Sequence, residues 1–139
     1  MTKRAFRREE GFVAIEFAVA VGLLLLPVVL LVAALPSWVE RQHAASVAAR
    51  EAAAVAVRAF PQDGLGAAVA AAEETVANYG IPADAIDVTF DRVDLRRGGT
   101  VSARVTIEMP AVVVPGMGTA GGFHWSVVRS RRIDDYRSG

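Results

Sequence analysis

The sequence predicts a mixed α+β chain. A long amino-terminal helix crosses a membrane and runs on as an alanine-rich stalk, and a second helix packs on a small three-stranded antiparallel sheet. Three observations predict it: an apolar run near the amino end, an alanine-rich run after it without a helix breaker, and a hydrophobic period that changes from about 3.6 to about 2 beyond Pro82. At 139 residues the chain is long enough for one ordinary domain. Its 15 Lys+Arg balance 15 Asp+Glu, so no whole-molecule field attracts a polyanion, and nucleic acid is not an expected partner. The absence of cysteine excludes disulfides, thiolate metal sites and a cysteine nucleophile. With 53% hydrophobic residues and a mean hydropathy of +0.36, the chain is more apolar than an average soluble domain.

Residues 1–11 read as a basic cytoplasmic leader, MTKRAFRREEG, in which Lys3, Arg4, Arg7 and Arg8 outweigh Glu9 and Glu10. Basic residues beside a span resist translocation, so the amino end is expected inside and residues 40–139 outside. Residues 12–39 read as the transmembrane helix, because Phe17–Val39 offers 23 residues without a charged side chain. About 20 apolar residues rise ~30 Å, the thickness of the hydrocarbon core. The rest of the chain is too small to wrap such a helix as a buried core element. Gly22 and Pro27 are tolerated in bilayer helices, although Pro27 deprives the Leu23 carbonyl of its usual donor. Trp38 suits the far interface. The rival reading is a secretory signal cleaved after Val32, Ala33 and Ala34. The apolar run is longer than such signals need, and Pro27 interrupts it.

The stalk, residues 40–60, is dominated by alanine, the best helix former and a small residue that lets neighbouring helices approach closely; the other reading is a stable amphipathic helix lying on its own domain. Pro61, Asp63, Gly64 and Gly66 mark a turn into the head, residues 61–139. Leu65, Val69, Ala72, Val76 and Tyr79 then recur at helical spacing, and Gly80 and Pro82 end that helix. Strand alternation follows in Ile86, Val88 and Phe90, and again in Val101, Ala103, Val105, Ile107 and Met109. Residues 95–99, ending in two glycines, suit a hairpin between them. Pro110 stops the second strand, and VVVPGMGTAGG reads as a flexible connector. A third strand carries Phe123, Trp125 and Val127 on one face. Its charged end, RSRRIDDYRSG, mixes both signs and reads as a solvated strand end.

No constellation for catalysis, metal or cofactor emerges. His43 and His124 lack acidic or hydroxyl neighbours at a site-forming spacing, and Asp84, Asp87, Asp91 and Asp94 lack the calcium-loop pattern. The glycine pairs do not follow the phosphate-loop or dinucleotide patterns. The chain is therefore not read as an enzyme.

The informative residue is Glu16 in GFVAIEF, at the head of the apolar helix. A carboxylate at the bilayer centre costs about 2.5–3.5 kcal/mol on insertion scales, less near the interface, so such a residue usually has a partner. Its bland role is to reach the headgroups from the first turn, helped by the helix dipole. The sharper role begins with cleavage after Gly11. Phe12 then becomes the new amino terminus and Glu16 the fifth residue, and in a staggered bundle the carboxylate of one subunit meets the ammonium of its neighbour.

A short basic leader ending in Gly11, then Phe12, Glu16 and the apolar run, resembles the type IV prepilin signal. The whole chain resembles the TadE-like minor pilins, or pseudopilins, of the tight-adherence (Flp-type) pilus system. The resemblance is carried by GFVAIEFAV with LLLLP, by the alanine-rich helix, and by VSARVTIEMP with the PGMG turn and the closing SRRIDDY. Met109 stands before Pro110 where family members often have an aromatic residue. The resemblance implies cleavage by a prepilin peptidase and a part in pilus assembly, with the membrane, other pilins or pseudopilins and the assembly platform as partners. The alternative is a single-span envelope protein whose external domain binds a ligand or partner, with Glu16 incidental.

Overall fold

A computed structural model describes residues 3–59, 63–116 and 118–134, with side chains from Phe12 onward. The side chains of the leader, together with Phe60, Pro61, Met117 and Tyr136, lie outside the described residues. The architecture is mixed α+β. Helix α1 (Lys3–Ala59) continues through Pro27 over 57 residues. Helix α2 (Gly64–Ala77) is followed by a short 3₁₀ turn (Ala83–Ala85), and then come strands β1 (Ile86–Val93), β2 (Thr100–Glu108), β3 (Val112–Val114), β4 (Gly118–Ala120) and β5 (His124–Arg132). Strands β1, β2 and β5 form one antiparallel sheet in the order β1-β2-β5, and β3 and β4 form a separate two-stranded hairpin.

The chain divides into two compact units. The larger comprises residues 36–111 and 121–139. Its core is the face of the sheet that the alternation predicts: Val101, Ala103, Val105, Ile107 and Met109 are all fully buried, with Ile86, Val88 and Phe90 half-buried beside them. Burying a side chain such as Val105 or Ile107 stabilises by about 1.5–3 kcal/mol. The same core takes in the alanine-rich stretch of α1. Ala44, Ala45, Ala48, Ala49, Ala52, Ala53 and Ala56 are buried, so this stretch is part of the head's core. Arg129 on β5 donates to the Ser46 hydroxyl at 2.9 Å, and Arg41 donates to the Glu108 carbonyl at 2.7 Å, tying the helix to the strands.

Helix α2 buries Gly64, Ala68, Ala72 and Val76. Ala72 and Val76 lie on the stripe the spacing predicts, but its start falls on Gly64 and Ala68 in place of Leu65 and Val69, and Leu65 is 42% exposed. The reason is close approach: a Cβ on Gly64 would lie 3.1 Å from the Ala56 carbonyl oxygen, so the smallest residues mark the contact. On β1 a register shift between Phe90 and Arg92 leaves Asp91 as an extra, bulged residue. The bulge aims its carboxylate at Arg104, which donates to both oxygens, at 3.0 and 2.6 Å. That hydrogen bond holds the Asp91 carboxyl below its ordinary value against a smaller opposing effect of desolvation, with a still smaller contribution from the charge of Arg104.

The smaller unit comprises residues 1–35 and 112–120. Here the structure corrects the expected flexible connector: Val112–Val114 and Gly118–Ala120 pair as a hairpin, with Val112 opposite Ala120 and Val114 opposite Gly118. Its turn relies on Gly116 and Gly118, whose φ angles of 79° and 102° favour glycine.

Candidate functional site

The candidate site is the amino-terminal portion of α1. Gly11 lies in its helical backbone; Phe12 and Glu16 follow on the same helix. Residues four apart lie on one face, separated by a rise of ~6 Å, so Glu16 stands one turn beyond Phe12. Glu16 is exposed. Around it Phe12, Val13, Ile15 and Phe17 are each 63–71% exposed. Between Phe12 and Val39 it is the one charged residue.

A core helix of a water-soluble protein would be buried. In this helix only 11% of the most apolar window is buried, and the helix is long and apolar enough to cross a membrane. Its apolar side chains therefore present a surface that water does not favour, and Glu16 is a charge that such a surface does not favour. A second copy displaced by ~6 Å along the axis would bring the backbone nitrogen of its residue 12 level with Glu16.

Trp38, expected at the far membrane interface, is engaged in the larger unit. Its indole N–H donates to the Pro110 carbonyl at 3.0 Å, and its ring meets Phe123 edge-on with centroids 5.9 Å apart. Backbone bonds from Met109 N–H to Phe123 O and from Gly122 N–H to Met109 O close the base of the same loop. The sequence reading missed this clasp. Its one available signal was the pairing of Pro110, a strand stop, with an aromatic residue before the next strand.

The head also carries an open groove lined by Arg41, Pro82, Asp84, Glu108 and Pro110. Arg41 already donates to a backbone carbonyl there, and two carboxylates flank it, so the groove selects no one charge class. Outside it, His43 stacks edge-on with Tyr79 at 6.0 Å, and Asp91 is occupied by Arg104. No family model, curated protein or solved structure matches this chain.

Proposed function

We propose that this chain is a minor pilin or pseudopilin that takes part in assembly of a tight-adherence type IV pilus. Its amino terminus is cytoplasmic and its head extracytoplasmic. A prepilin peptidase cuts between Gly11 and Phe12, and the mature helix packs against other pilins or pseudopilins at the assembly platform. The observation that supports this reading is Glu16, a lone carboxylate on an exposed apolar helix, one turn beyond the residue that cleavage would make the amino terminus. Pairing with a neighbour's ammonium neutralises both charges, so a partner for the carboxylate is gained only through assembly.

The test compares wild type with Glu16→Gln for membrane insertion and for fibre formation. A pilin-like subunit inserts in both cases but assembles only with the carboxylate. Normal fibre formation by Glu16→Gln favours instead a single-span envelope protein whose head binds a partner.

A further inference from the structure

Between Pro110 and Phe123 the chain has no ionisable side chain and one polar one, Thr119, although Glu108 and His124 flank the stretch closely. Its central part, residues 112–120, forms one compact unit with helix residues up to 35. Along residues 12–35 of α1, burial falls on a single stripe: Pro27 and Ala34 are buried, and Leu30 and Leu31 are half-buried. On β3, Val114 is buried and Val112 half-buried, while Val113 faces away. At 73% exposure Val113 is the most exposed large apolar side chain among the described residues. The covered helix stripe and the covered face of β3 belong to the same unit, and the other face of the hairpin presents Val113 with Thr119 paired opposite it, both exposed.

We propose that the β3–β4 hairpin is an interfacial foot. It rests in the outer headgroup–acyl boundary of the membrane with Val113 against lipid, and the hydrocarbon span of α1 ends near Leu31. This inference rests on the membrane placement of α1 given above. Two constraints fix the depth. The hairpin has only two strands, so each strand keeps one edge without a ladder partner. In hydrocarbon those N–H and C=O groups would find no partner, which excludes the bilayer interior; at the interface, water and headgroups supply partners. Independently, about 20 residues cross the hydrocarbon core, and counting from Phe12 brings the helix to Leu31, inside the covered stripe. The hairpin, in one unit with this stretch of the helix, therefore lies where the helix leaves the hydrocarbon, with Val113 exposed toward lipid. A flat apolar element seated at this level matches the way amphipathic segments bury one face at the boundary.

The chain has no native cysteine, so single-cysteine variants of the full-length protein report one site each. Val113→Cys, Leu24→Cys as a marker in the span and Thr89→Cys as an exposed marker on the sheet are each labelled with an environment-sensitive fluorophore. Each is then reconstituted in phosphatidylcholine–phosphatidylglycerol vesicles. The vesicles contain lipids brominated either near the headgroup or near the chain end, and iodide serves as the aqueous quencher. The Val113 probe is expected to show blue-shifted emission and stronger quenching by shallow bromines than by deep ones. Leu24 should respond to deep bromines and Thr89 to iodide alone. If Val113 behaves like Thr89 while Leu24 is still quenched by lipid, the foot is refuted and the membrane helix stands. If Leu24 also reports water, the membrane placement itself fails. Quenching of Val113 chiefly by deep bromines contradicts the interfacial depth. Protection from both bromine and iodide means that a second copy covers the hairpin, which also overturns the proposal.

Discussion

At the scale of single residues, the proposed function rests on Glu16, and head stability on small polar and apolar details. Truncating one partner of a buried charge pair costs about 2–5 kcal/mol. Glu16→Gln should therefore lower subunit association more than about tenfold, the equivalent of 1.4 kcal/mol, while leaving insertion intact or improved. Co-purification of tagged and untagged copies measures the first quantity, and membrane fractionation the second. Asp91 offers a pH test. Its folded pKa is depressed, so its contribution is fully present above the ordinary value of 3.8 and is lost as pH falls through the lowered folded value. Asp91→Asn should remove that increment of acid sensitivity from thermal unfolding followed across this range. The effect is small because both side chains are substantially exposed and salt screens them. Trp38→Phe keeps an aromatic ring but leaves the Pro110 carbonyl without its donor, at a cost of about 1 kcal/mol, readable as a lower unfolding midpoint.

At the scale of elements, the strands were the most legible part of the sequence. Val101, Ala103, Val105 and Ile107 alternate strictly with Ser102, Arg104 and Thr106, and a period of two leaves only one way to bury one face. Helix α2 was legible in extent and, at Ala72 and Val76, in the face it buries, but not in its first turns. Leu65 and Val69 carry more apolar area, yet Gly64 and Ala68 are buried because backbones approach closest where side chains are smallest. The β3–β4 hairpin was not legible, since VVV has no alternation and GMGTAGG matches loop chemistry as well as it matches a tight turn. The alanine-rich stretch of α1 fits both a bundle-forming stalk and a core helix, and composition alone does not separate them. Its burial makes a direct prediction: Ala48→Leu or Ala52→Leu, at positions with no exposure, should overpack the core and destabilise the head by about 1–3 kcal/mol. Ile107→Ala on the facing strand should cost about 2–5 kcal/mol. Denaturant unfolding of the detergent-solubilised chain compares the three. An Ala48→Leu chain as stable as wild type would favour a free-standing stalk.

At the scale of the whole molecule, the chain joins an exposed apolar helix with a lone acid to a folded head, and the candidate site was legible because its elements are local in sequence. Gly11, Phe12 and Glu16 need no tertiary contact to be recognised, whereas the Trp38 clasp joins residues 72 positions apart and left only the faint signal of Pro110 and the aromatic residue that follows. The central claim is that proteolysis supplies the positive end that Glu16 lacks. It is tested most directly by sequencing the amino terminus of the protein extracted from the membranes of cells that make the pilus. The account predicts a chain that begins FVAIEF at Phe12. A chain that still carries residues 1–11, or begins at another position such as Leu35, would contradict it.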